Sequence, residues 1–178
     1  ILSGFNANSL NDPKVAVFNK DAYIWAKNCR EKFDVVIIDF PDPSNYSLGK
    51  LYSLNFYATI QKLLNQDAVV VIQTTSPYFA PKSFWCINKT VMQVFPQIDA
   101  YHAYVPSFGE WGFTIAINGF GTTFNTVNRK VDALRFYNYQ FDKFNYFSQD
   151  MISKDIEINR LDNQILVRYF DEEWGKLQ

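Results

Sequence analysis

Apolar and polar positions fall into two alternating textures along this chain. Phe33 to Ser44 reads Phe-Asp-Val-Val-Ile-Ile-Asp-Phe-Pro-Asp-Pro-Ser, an unbroken β-branched centre that stops at two carboxylates and two prolines. Such a run predicts a strand over 34–39, buried on both faces as in a parallel sheet. A second β-branched run, Asp67 to Gln73, predicts another strand, and it too ends in polar residues, Gln73, Thr74, Thr75 and Ser76. A shorter strand is predicted over Lys14 to Phe18, just after the Asp12-Pro13 turn signal. Helical spacing intervenes. Ala22, Trp25 and Ala26 can share a face through Cys29, while Leu54, Tyr57, Ile60 or Gln61, and Leu64 define a helix from Ser53 to Leu64. Phe84, Ile87, Val91 and Phe95 mark a third helix, ended by Pro96.

Ile98 to Val105 and Gly112 to Ile117 read as two further strands joined by Pro106 to Trp111. A link this short predicts antiparallel pairing, because a parallel crossover needs a dozen residues or more. Strand, helix, strand, helix, strand and a closing hairpin is an α/β pattern, and it predicts a Rossmann-like sheet of the class I methyltransferase type, mostly parallel with a C-terminal antiparallel hairpin. Beyond Asn118 the texture changes. Phe136, Tyr137, Tyr139, Phe141, Phe144, Tyr146 and Phe147 crowd one stretch with few basic residues among them, which favours packing over base stacking. The tail from Leu161 to Trp174, with Ile165, Val167 and Phe170 between, suits an amphipathic helix whose acids Asp171, Glu172 and Glu173 face solvent. Residues 1–120 are thus expected to form the main domain, with 121–178 as an aromatic-rich extension packed on it.

Composition narrows the chemistry. The chain has 178 residues, 48% of them apolar and 18% aromatic, enough to bury a substantial core. A net charge of −1 and a pI near 5.8 offer no basic field for nucleic acid. Cys29 and Cys86 are unpaired in spacing and read as two reduced thiols. His102 is the single histidine, which excludes a metal site built on imidazoles and leaves a Ser-His-Asp triad only through His102 itself. The longest uncharged stretch, Trp111 to Asn128, is broken by glycines, threonines and asparagines, so no segment reads as a membrane span.

In open α/β sheets, ligands sit beyond the carboxyl ends of the strands, which makes Asp39 and Asp42 site candidates on a loop stiffened by Pro41 and Pro43. The pattern alone leaves Asp39 open between a loop or cap residue and a site carboxylate. Asp21, also just after an expected strand, suits a helix N-cap as readily as a site.

The phrases decide between these. Asp39 to Ser44, Leu48-Gly49-Lys50-Leu51-Tyr52, Gln73 to Trp85, Val105 to Phe113 and Glu157 to Gln164 together resemble the polyamine aminopropyltransferases, the spermidine synthases, and in particular a bacterial branch in which a membrane segment precedes the catalytic domain. The resemblance covers about Asn11 to Trp174 and is to the C-terminal part of that domain. It implies transfer of an aminopropyl group from decarboxylated S-adenosylmethionine, a co-substrate with no tightly held cofactor, to putrescine or a related amine. It implies a cytoplasmic domain, with any membrane contact made by segments outside this chain. Asp39 would bind the reacting amine and help remove its proton. Asp42 would hold the diamine and Gln73 would add a polar contact, while Glu110 and Trp111, on the hairpin turn, would line the same crevice. Asp21 and Ala22 would contact the adenine, and Leu48 would wall the nucleoside.

One part of the family pattern is missing: no glycine-rich loop follows the first strand, and none of the seven glycines cluster. Two alternatives therefore accompany the enzyme reading, an S-adenosylmethionine-dependent methyltransferase and an inactive polyamine-binding or assembly domain. If the first two strands of the family sheet are lacking, an edge of 35–39 is exposed. A homodimer across it, a rearranged sheet or a shortened chain would each account for such an edge.

Overall fold

The computed structural model describes residue 4 and residues 6–120, 147–148, 151–153 and 155–175. Four strands form one sheet: β1 (Phe33–Ile38), β2 (Leu64–Gln73), β3 (Gln97–Val105) and β4 (Gly109–Ile117), in the order β1-β2-β4-β3. Helices α1 (Ala22–Asn28), α2 (Tyr46–Gly49), α3 (Leu54–Gln61), α4 (Pro81–Met92) and α5 (Ile165–Trp174) complete it, with a 3-10 turn at Lys50–Tyr52. The α/β class is as expected, but the sheet is mixed rather than mostly parallel. β1 and β2 run parallel, while β4 lies antiparallel to both β2 and β3. With only one βαβ unit among the described residues, the hairpin makes up half the sheet.

Local chemistry explains the helix starts. Asp21 accepts from the Ile24 amide at 3.0 Å to cap α1, Asn45 accepts from Leu48 to cap α2, and Ser53 accepts from Phe56 to cap α3. The expected apolar face of α4 is realised, with Phe84, Ile87, Val91 and Phe95 all buried. Ala68, Val70 and Ile72 of β2 join them in the core, every second residue, so the core lies on one face of the sheet.

That placement corrects two expectations. β1 is an edge strand covered on one face: Ile38 is buried, whereas Val35 and Ile37 are 60% and 75% exposed. Its continuous apolar run suits a strand covered on both faces, a requirement these residues do not themselves meet. Lys14 to Phe18 form no strand. The segment is exposed and pairs with nothing among the described residues, and so short a strand gains its hydrogen bonds only by pairing.

The hairpin is tighter than expected. Val105 pairs with Gly109 around the three-residue loop Pro106-Ser107-Phe108, a turn that needs a left-handed residue at its end. Gly109 supplies it at φ 77°. Glu110 and Trp111 are accordingly strand residues.

α5 begins at Ile165, since Leu161 to Gln164 form a turn. The expectation that its acids face solvent fails at Glu173, which is buried and takes up the free amides of α4. The Lys82 amide donates to Oε1 at 2.7 Å, and the Ser83 amide and hydroxyl donate to Oε2 at 3.0 and 2.7 Å. Helix α4 needs this partner because its own N-cap, Ala80, has no side chain to offer. Asn159 ties the same tail down: its amide donates to Thr90 Oγ1, its side chain donates to the Gly49 carbonyl, and its carbonyl accepts from Leu54. Of the expected aromatic cluster, Phe147 packs on Phe84 and Trp85 with ring centroids 5.0 and 5.3 Å away. Phe136 through Tyr146 lie outside the described residues.

Candidate functional site

The parallel pair β1 and β2 ends with its two polar termini side by side, and the residues just past those ends form one hydrogen-bonded cluster. Gln73 donates from Nε2 to Asp42 Oδ1 at 3.1 Å. The Tyr52 hydroxyl lies 3.3 Å from Gln73 Oε1 and 3.1 Å from the carbonyls of Phe40 and Pro41, so it can donate to any of the three. Tyr52 thus pins the Asp39 to Asp42 loop to the end of β2. The rings of Phe40 and Tyr52 meet edge to face at 6.4 Å, and Phe40 packs on Phe56 at 5.8 Å, which anchors the loop through its apolar residue.

The electrostatics follow from this burial. Asp42 is half-buried, and loss of water raises its carboxyl pKa, an effect opposed by Gln73 and more weakly by Thr75. Burial, and then the negative charges of Asp42 and Asp39, raise the Tyr52 pKa, so its hydroxyl stays a donor. Both carboxylates therefore act on one phenol. Asp39 itself is exposed at the strand end. A half-buried acid and an exposed one on the same loop can attract a small cation, and the exposed acid can accept a proton from it.

Asp21 and Ala22 stand at the start of α1. Besides capping that helix, Asp21 accepts from Lys50 Nζ at 2.9 Å, and the Lys50 hydrogen bond, followed by the Ile24 amide, lowers its pKa. The N-cap role is thus realised, and the 3-10 turn joins two clusters, with Lys50 bound to Asp21 and Tyr52 bound to the Asp42 loop. Leu48, half-buried, packs against the core just before that turn. A cavity of about 510 Å³ borders Asp21 along α1, lined by Lys20, Ile24, Trp25, Asn28 and Cys29 as well. Another, of about 580 Å³, lies at the opposite end of the sheet around Met92, Phe95 and Phe120, and neither is lined by Asp39 or Asp42.

Glu110 and Trp111 reach the same end of the sheet along β4. The Glu110 carbonyl accepts from Ser76 Oγ at 3.0 Å, and Trp111 is buried against Phe108 with centroids 5.1 Å apart. Among the described residues no hydrogen bond joins Glu110 to the Asp42 cluster, so the structure brings Asp42 and Gln73 together and leaves Glu110 in a neighbouring group.

Three residues in these groups received no separate role from sequence reasoning. Tyr52 sits inside the Leu48 to Tyr52 phrase, and a tyrosine three residues past a glycine gave no sign that its hydroxyl would meet Gln73. Thr75, fully buried at φ 64°, holds a conformation rare for a β-branched side chain. His102 faces Glu110, a pairing visible only once β3 and β4 are in register.

An α/β sheet with a parallel pair followed by an antiparallel hairpin is a fold of the class I methyltransferase type, and two solved spermidine synthases share that fold. The structure resembles spermidine synthase in complex with the transition-state analogue AdoDATO (TM-score 0.60, 20% identity, 98% of this chain and 55% of that one). It also resembles the Thermotoga maritima enzyme (TM-score 0.59, 18% identity, 98% and 54%). The spermine/spermidine synthase domain model matches residues 1–130, and the chain belongs to that family. It is 46% identical over 99% of its length to a polyamine aminopropyltransferase of Leptospira interrogans, and 45% identical over 97% to polyamine aminopropyltransferase 2 of Ralstonia nicotianae. The chain spans about a third of the length of these curated relatives, 35% and 34% respectively.

Proposed function

We propose that the protein carrying this chain transfers the aminopropyl group of decarboxylated S-adenosylmethionine to putrescine or a related diamine, and that these residues supply the amine-binding side. The observation that carries this reading is the cluster of Asp42, Gln73 and Tyr52 beside the exposed Asp39. Its similarity to proteins bearing the aminopropyltransferase name supports the same assignment.

In this reading Asp42 holds one ammonium end, and Gln73 keeps its carboxylate oriented while offering its own amide oxygen. Asp39 accepts the proton from the other end. The freed nitrogen lone pair attacks the propyl carbon bonded to the sulfonium, the carbon–sulfur bond breaks, and its electron pair stays on sulfur, which leaves as a neutral thioether nucleoside. Asp21, Ala22 and Leu48 serve the adenine end, with Lys50 holding the Asp21 carboxylate in place. Trp111 and Glu110 line the far side of the crevice. The 178 residues hold no glycine-rich loop, and the reading assigns them the amine side and the adenine end only. The described residues of 121–178, Phe147 on Phe84 and Glu173 on Ser83 among them, act as an extension of the same unit.

The complete gene product, given putrescine and decarboxylated S-adenosylmethionine, should release spermidine and the thioether nucleoside, and S-adenosylmethionine should not substitute. Asp39→Asn should lower kcat by a factor of about 100 to 10,000, the usual contribution of a general base. Undiminished turnover in that variant would remove Asp39 from the role, and absence of any transfer by the wild type would remove the function.

A further inference from the structure

His102 carries no role in the reaction above, yet its surroundings are built with care. Its Nδ1 lies 2.8 Å from Glu110 Oε2, across the β3–β4 ladder. The ring is held on two further sides: Tyr78 stands edge-on with centroids 5.6 Å apart, and Phe147 tilts against it at 5.1 Å. Phe147 is in turn seated on Phe84 and Trp85 of α4. The Tyr78 hydroxyl approaches Nε2 at 3.5 Å, an arrangement that keeps the proton of a neutral imidazole on Nδ1, facing the carboxylate. The His102 side chain is 15% exposed and that of Glu110 43%, so a shielded donor grips an accessible acid.

Glu110 is held from its backbone as well, by Ser76 Oγ on the segment that leads from Gln73 to α4. Phe113 pairs with Gln73, and Glu110 lies three residues nearer the hairpin turn. At a strand rise of about 3.4 Å per residue, that places its backbone roughly 10 Å further out along the strand, past the end of β2, with its side chain on the sheet face shared by Gly112 and Thr114, which α4 covers. Its second oxygen, Oε1, has no hydrogen-bond partner among the described residues.

We propose that His102 is a positioning residue for the diamine: its Nδ1–H fixes the Glu110 carboxylate so that Oε1 stays available to an ammonium group. This rests on the aminopropyltransferase reading and extends it to a residue that touches neither substrate. A long acid on a strand end would otherwise sample several rotamers and lose entropy on capturing a cation, a loss that a clamped carboxylate has already taken in folding.

The test is steady-state kinetics of the complete protein with each substrate varied in turn. His102→Phe keeps the aromatic packing but removes the donor, and it should raise KM for putrescine about tenfold, in line with losing a hydrogen bond to a partly exposed charged group. KM for decarboxylated S-adenosylmethionine and kcat should stay unchanged. His102→Asn places an amide donor near the Nδ1 position and should restore KM for putrescine. In a Glu110→Gln background, His102→Phe should add nothing further. Equal KM for putrescine in wild type and His102→Phe would overturn the proposal, as would a fall in kcat that Asn does not rescue. Should His102→Phe not fold, Glu110→Gln alone decides: it should raise KM for putrescine about tenfold, and a KM equal to wild type would overturn the proposal. Failure of the wild type to use putrescine at all would instead strike the functional reading beneath it.

Discussion

Removing the Glu173 carboxylate should unseat α4 from α5, and the size of the effect can be worked from its contacts. Three donors converge on it, the amides of Lys82 and Ser83 and the Ser83 hydroxyl, at 2.7, 3.0 and 2.7 Å. In Glu173→Ala, α4 loses the group that serves as its cap, a loss of about 1 kcal/mol. The negative charge at the positive end of the helix is worth about 0.5 to 1 kcal/mol more. A charge-assisted bond from a buried hydroxyl adds about 1.5 kcal/mol, for a total near 3 kcal/mol. With a urea m-value of about 2 kcal/mol per molar, the unfolding midpoint should fall by about 1.5 M. Glu173→Gln keeps one acceptor but turns an amide toward a donor, so it should fall roughly half as far. Glu172→Ala is the internal control. Glu172 meets Lys82 at 3.5 Å with both side chains half exposed, a pair worth less than about 0.5 kcal/mol. Tryptophan fluorescence would follow the transition, since Trp174 adjoins the site. If Glu173→Ala and Glu172→Ala lowered the midpoint by the same small amount, the reasoning that a buried acid caps α4 would be wrong.

Two more outcomes follow from the site. Burial raises the Asp42 pKa, so its contribution to stability is present at acid pH, where the carboxyl is neutral in both states, and is lost as pH rises through the folded-state value. Asp42→Asn removes that loss: its stability relative to wild type should grow from pH 4 to pH 7 in urea titrations while putrescine binding by calorimetry disappears, and a constant difference would refute the assignment. Gly112→Ala should destabilise by about 1 to 3 kcal/mol, because a Cβ there would strike the Phe84 ring and come within 2.7 Å of the Thr75 carbonyl; an unchanged thermal midpoint would show that the hairpin and α4 can move apart.

Much of the architecture was legible in local pattern. The β-branched runs around Val36 and Val70, the buried stripe Phe84, Ile87, Val91 and Phe95, and the Asp21 cap all appear where spacing and capping chemistry place them, because each depends on neighbours within a few residues. Patterning misjudged what depends on a distant partner. Lys14 to Phe18 has strand composition but no strand beside it among the described residues, and β1 has the composition of a strand covered on both faces but is covered on one. Glu173 reads as a solvent-facing acid until α4 is laid against α5.

The site divides in the same way. Asp39 and Asp42 could be named from the sequence because they follow a β-branched run, and strand ends are where an α/β sheet gathers its chemistry, whereas the part of Gln73 came from the family resemblance. Tyr52 and His102 could not, since the bonds that give them a part connect positions 21 and 8 residues apart. Sequence by itself determined local features, such as the inward stripe of α4 and the capped start of α1. Only the tertiary structure decided which polar groups meet, because the free energy of a buried donor depends on the acceptor the fold brings to it, and one-dimensional spacing carries no record of that.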